Sequence, residues 1–179
     1  MPLFALRRLS FIVLIAAGLV AAHFGSTVAA GPLRPDTLPK ADRIVIHKSK
    51  RELDLMAKGA VIRTYPIALG PHPVGPKRLR KDGRTPEGLY VIDRRTRATP
   101  YHRALHISYP DAADVARARA KGGTPGGDIF IHGMPAYFGR TDPVRFFVDW
   151  TNGCIAVGNI AIEEIWQSVD DGTPVEILP

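Results

Sequence analysis

Alternation of apolar and polar positions runs through most of the chain after residue 42. "RIVIHKS", from Arg43, alternates and predicts a strand. "LDLMAKGAVIRTYPIALG" (53–70) holds two such runs around Lys58 and Gly59, the pattern of a hairpin with a tight turn. Further strands are predicted at "GLYVID" (88–93), "ALHIS" (104–108), "DIFIHG" (128–133) and "PVEIL" (174–178). Helical spacing replaces alternation twice. "DAADVARARAKG" (111–122) opens on an Asp and closes on a Gly. "NIAIEEIWQSV" opens on Asn159 as a candidate N-cap and sets Ile162, Ile165, Trp166 and Val169 on one face, which assigns Trp166 to the core. Short strands divided by Gly/Pro turns, with two short helices, predict a mainly β domain over residues 43–179.

The first thirty residues break this pattern. Arg7 and Arg8 precede the apolar run Phe11–Ala22, and "STVAA" places small residues before Gly31. The run is short for a membrane span, and the arrangement is that of a secretory signal ending at residue 30; the alternative is an uncleaved anchor. Residues 31–42 are proline-rich and aperiodic, the composition of a linker. The expected location is therefore the periplasm. Removing residues 1–30 lowers the net charge from +7 to +5. Export argues against nucleic acid as the partner of this basic chain and favours carboxylate-bearing wall material. Five cations, Lys77, Arg78, Arg80, Lys81 and Arg84, crowd the loop 70–88. That loop is either a solvated, mobile segment or a cover that draws anionic substrate to a site beneath it.

Cys154 is the single cysteine, so no intramolecular disulfide is available. An isolated cysteine is more often buried and inert than reactive. Three features weigh the other way. The turn "TNGC" can aim successive backbone N–H groups at one point, as an oxyanion requires. His132 ends an apolar strand, where a base can face a cleft on a rigid backbone. Gly133 follows it and allows close approach to the backbone. The histidines show no ligand-like clustering, so neither metal nor cofactor is implied.

"IFIHG" followed by "WTNGCIAV" resembles the L,D-transpeptidase catalytic domain family, the YkuD-like fold. Eighteen residues separate His132 from Thr151, at the long end of the family's spacing. "IVIHKSKRELDLMAKGAVIRTYPIALG", "KDGRTPEGLYVI", "HRALHISYP" and "GGDIFIHG" keep the family's order, so the resemblance covers roughly 43–178. It implies a YkuD-like β-sandwich with a few short helices. By position, Cys154 would be the nucleophile, His132 its base and later the proton donor, and the Gly133 carbonyl the orienting group. Asn152, Gly153 and Cys154 would supply oxyanion N–H groups, and Thr151 would shape the turn and contact substrate. Asn152 and Ala156 stand where many members carry His and Arg. "WTNGCIAV" is closer to a subgroup that includes a lipoprotein-releasing murein hydrolase. If the missing Arg binds a substrate carboxylate elsewhere in the family, Arg140 and the 77–84 loop are candidates to replace it. The implied partners are peptidoglycan stem peptides and a wall-linked lipoprotein, with carbapenem-type β-lactams as covalent inhibitors. The implied reaction is transfer of a stem tetrapeptide through a thioester to an amine. The alternatives are hydrolysis, as an L,D-carboxypeptidase or lipoprotein-releasing amidase, and a non-catalytic wall-binding domain.

Overall fold

The structure, a computed structural model, describes residues 38–135 and 148–179. Arg43–His47 forms β1, Glu52–Ala57 forms β2 and Ala60–Pro66 forms β3. Lys58 and Gly59 both hold positive φ, 53° and 79°, which gives the hairpin the tight turn its sequence predicts. β4 spans Gly88–Thr99, β5 His102–Ile107, β6 Phe130–His132, β7 Ile155–Ala156 and β8 Pro174–Leu178. α1 (Ala112–Ala120) and α2 (Asn159–Ser168) complete the described elements, so the domain is mainly β with two short helices.

The strand order is β3-β2-β1-β8-β4-β5-β6-β7. β4 belongs to both halves of this surface: Gly88–Val91 pairs with β8, and the stretch from Ile92 onward pairs with β5. The sheet folds over along this strand. Beyond β3, Ala68 forms an isolated bridge with Ala156 of β7. The first and last strands of the order thus meet, and the folded sheet encloses one core. Ile44, Ile46, Leu53, Leu55, Ile92, Val175 and Ile177 fill it from one half, and Leu105, Ile107, Ile131 and Ile155 from the other. Ile162 and Ile165 of α2 and Val169 at its C-cap cover it, on the face that the helical spacing predicts. Trp166 packs against this core from outside, with the guanidinium groups of Arg95, Arg97 and Arg103 at 5.1, 5.7 and 5.1 Å from its ring centre.

The fold departs from the sequence reading in three places. β4 runs six residues past Asp93 because its second half finds a partner in β5. β7 is only two residues long, too short for any periodic signal. Asn159 is the first residue of α2 and not its cap. Gly158 takes that position, while Asn159 Oδ1 accepts the Met134 N–H at 2.7 Å. Asp111 does cap α1, in a reciprocal capping box with Asp114. Among the described residues no helix is long and apolar enough to cross a membrane.

One buried cation ties β1 to the long loop before β4. Lys48, 2% exposed, donates from Nζ to Glu87 Oε1 (2.8 Å), the Gly75 carbonyl (2.8 Å) and the Thr85 carbonyl (3.2 Å). Burial lowers its pKa, and the bond to Glu87 opposes that shift. Lys48→Met is expected to cost about 3 kcal/mol, because it strands a carboxylate and two carbonyls. Urea denaturation of the variant beside the parent chain measures this.

Candidate active site

β6 and β7 pair in parallel, with Ile131 opposite Ile155 and His132 opposite Ala156. Ile131 and Ile155 point into the core. The alternate positions, Phe130 and His132 on β6 and Cys154 immediately before β7, therefore share the opposite face. His132, Phe130 and Cys154 all line one cleft. The His132 Nδ1–H donates to the Gly133 carbonyl at 2.7 Å, which directs Nε2 away from the backbone. Gly133 is needed here, since a Cβ would lie 2.6 Å from Asn159 Oδ1 and 3.0 Å from the Tyr101 carbonyl oxygen.

The turn that carries Cys154 is fixed from three directions. Asp149 accepts from Arg51 Nε (3.0 Å) and Nη2 (2.6 Å) and from the Leu69 N–H (3.0 Å). The Thr151 N–H returns a bond to the Leu69 carbonyl at 2.9 Å. Within the turn, Thr151 Oγ1 donates to the Cys154 carbonyl (2.8 Å) and accepts the Gly153 N–H (3.1 Å). From below, the fully buried Thr85 donates its hydroxyl to the Gly153 carbonyl at 3.0 Å. Gly153 sits at φ +118°, and a Cβ there would overlap the Arg84 carbonyl oxygen. The engaged Gly153 N–H corrects the expectation that all three N–H groups of Asn152, Gly153 and Cys154 face one point.

The basic loop is not the freely solvated segment that one reading of its composition suggests. Asp82 gathers it, accepting from Lys77 Nζ (2.7 Å) and from the N–H groups of Arg78 (2.7 Å), Leu79 (2.9 Å) and Arg84 (3.1 Å). Burial disfavours the Asp82 carboxylate, and these bonds outweigh that and lower its pKa. Lys77 is buried and spent on this knot, and the Arg84 guanidinium turns to the Val74 carbonyl. The Arg80 N–H reaches the Thr124 carbonyl at 2.8 Å, fastening the loop to the segment before β6.

Two clefts meet at the thiol. One, of about 460 Å³, is walled by Pro100, Tyr101, Phe130, Trp150 and His132. The other, of about 850 Å³, is walled by Lys77, Arg80, Lys81, Thr124, Gly126, Gly127 and Ile129. Asp128, Asn152 and Cys154 belong to both. The Tyr101 and Trp150 rings lie 4.6 and 5.8 Å from the His132 ring. Thr151 lines the aromatic cleft, while Arg140 falls outside the described residues. The aromatic wall escapes sequence reading, because Tyr101, Phe130 and Trp150 come from three separate segments and form no motif.

Burial lowers the His132 pKa, against the opposing bond to Gly133. Burial likewise raises the Cys154 pKa above the usual 9.0, opposed by a backbone hydrogen bond from Phe130. Both shifts favour the thiol and the neutral imidazole at neutral pH, and the thiol lies 3.5 Å from the Asp128 carbonyl. Among the described residues no group of His, Cys, Asp or Glu is placed to hold a metal ion.

Two outcomes are expected. Iodoacetamide alkylation of Cys154 should keep accelerating above pH 9, with no plateau at neutral pH, because the thiolate forms only there in the free protein. Stopped alkylation at stepped pH, read by intact mass, measures this. Gly153→Ala should lower stability by about 2 kcal/mol or more, since its φ is open to few residues but glycine. A denaturant midpoint measures that cost.

Known proteins share this domain's sequence pattern and fold. The YkuD sequence profile, described as the L,D-transpeptidase catalytic domain, matches residues 41–177. The chain is 29% identical over 159 residues to the Escherichia coli K12 protein provisionally named L,D-transpeptidase YafK, covering 86% of this chain and 57% of YafK. The chain thus spans under two thirds of that relative. The helical cell shape determining protein Pgp2 of Campylobacter jejuni superposes with TM-score 0.58 at 26% identity, covering 78% of this chain and 48% of Pgp2. L,D-transpeptidase 3 of Mycobacterium tuberculosis, solved with a faropenem-derived adduct, shares the fold with TM-score 0.52 at 16% identity, covering 78% of this chain and 60% of its own. With nearly all of the described domain inside the profile match, the chain belongs to the L,D-transpeptidase catalytic domain family.

Proposed function

We propose that the chain is an exported cysteine acyltransferase acting on peptidoglycan stem peptides. The observation that carries this reading is the placement of Cys154 and His132 on one cleft, with His132 Nδ1 held by the Gly133 carbonyl. In the first half-reaction His132 Nε2 takes the thiol proton as sulfur attacks the carbonyl after meso-diaminopimelate. The new C–S bond forms and the carbonyl electrons move to oxygen, which the N–H groups of Asn152 and Cys154 stabilise. Collapse breaks the C–N bond, and His132 returns the proton to the departing D-alanine amine. In the second half-reaction an acceptor amine gives its proton to His132 and displaces the thiolate, which recovers that proton. A stem amine gives a 3–3 crosslink, and a lipoprotein lysine gives a tether. Water in place of the amine gives a carboxypeptidase or tether-releasing hydrolase. The lowered basicity of His132 suits this role, since a neutral imidazole is a base ready at neutral pH. Thr151 acts by shaping the turn, and residues 1–30 by directing export to the periplasm.

The test has two parts. The purified chain incubated with a carbapenem should gain one adduct by intact mass, and Cys154→Ala none. Peptidoglycan exposed to the chain and then digested should yield 3–3 dimers, which His132→Gln should reduce at least about a hundredfold. Shortened monomers or released lipoprotein peptides would replace transfer with hydrolysis. An unmodified parent chain that leaves muropeptides unchanged would establish a non-catalytic wall-binding domain.

A further inference from the structure

The two clefts at Cys154 differ in what they offer a substrate, and proton transfer assigns them. His132 lines only the aromatic cleft. The amine that leaves must receive its proton from His132, and the amine that arrives must surrender one to it. Both therefore occupy the aromatic side in turn. The acyl half of the donor, which exchanges no proton, is left with the basic side.

That side presents two uncommitted cations. Lys77 is neutralised by Asp82, and Arg84 turns away to the Val74 carbonyl. Arg80 and Lys81 line the cleft, and among the described residues neither forms an ion pair. Their backbone is held by the Asp82 knot and by the bond from Arg80 to Thr124, so little backbone freedom is lost on binding. Where many family members carry arginine, this chain has the uncharged Ala156. Ala156 is fully buried, and its backbone is shared between Ala68 and His132.

Resting on the acyltransferase reading above, we infer that the basic cleft holds the acyl half of the donor and that Arg80 and Lys81 bind the side-chain carboxylate of its diaminopimelate residue. That residue ends in a carboxylate and an ammonium on one carbon. Asp128, at the divide between the clefts, 87% exposed and paired only at 4.0 Å with Arg94, offers the ammonium a partner.

The test separates binding from turnover by using Cys154→Ala. The probes are the tetrapeptide L-Ala-γ-D-Glu-meso-diaminopimelate-D-Ala, its L-lysine analogue, which lacks only that carboxylate, and a third peptide, called the D-Gln peptide below, in which the free α-carboxylate of the γ-linked D-Glu is amidated. The diaminopimelate peptide should bind about fivefold tighter than the lysine peptide at low salt. Added salt should shrink the difference, and Arg80→Gln/Lys81→Gln in the same background should abolish it. The D-Gln peptide should keep the parent affinity. Equal affinity for the acid and lysine peptides, a preference that survives the double substitution, a loss confined to the D-Gln peptide, or no binding by any peptide would each overturn the inference. None of these results bears on the carbapenem adduct or the 3–3 dimers, whose absence would instead overturn the acyltransferase reading.

Discussion

The paired backbone bonds between Ala68 and Ala156, each 2.9 Å, join the two ends of the strand order. Everything at the site depends on that closure. It leaves neither β3's extension nor β7 as an open edge at this point, and so protects a region that would otherwise expose unpaired amide groups. It also brings residues 67–70 against 149–154, where Asp149, Thr151 and Leu69 exchange bonds. A two-residue strand could not hold Cys154 in register alone. β7 does so because β6 pairs on one side and Ala68 on the other.

The loops around Cys154 lack regular structure yet lie partly inside the protein, so side chains satisfy their backbone groups. Lys48 takes two carbonyls, Asp82 three N–H groups, Thr85 the Gly153 carbonyl and Asn159 the Met134 N–H. These bonds form a continuous support from β1 through the 75–87 segment to the turn before Cys154. Glycine supplies the clearance they require, at Gly153 before Cys154 and at Gly133 beside the imidazole.

Alternation in β1, β2 and β8 was plain in the sequence because each has one buried face, and the helix spacing of Ile162, Ile165 and Val169 was equally direct. Cys154 and His132 drew notice through their neighbours, a glycine turn and a strand end, and through an ordered resemblance along the chain. What stayed hidden came from pairing at a distance. Nothing in "RTPEG" announces that Thr85 will meet Gly153, sixty-eight positions away. Asn159 looked like a cap because caps are local, whereas its actual partner, Met134, is not. The charge of the 77–84 loop was visible, but its division into structural cations and free ones depends on where Asp82 points.

The protonated resting state of Cys154 has a consequence for durability. Oxidants and stray electrophiles react with thiolates far faster than with thiols. A thiol that burial keeps protonated reacts slowly with either. With no second cysteine in the chain to capture it as an internal disulfide, the sulfur can persist in an oxidising environment without a reductant standing by.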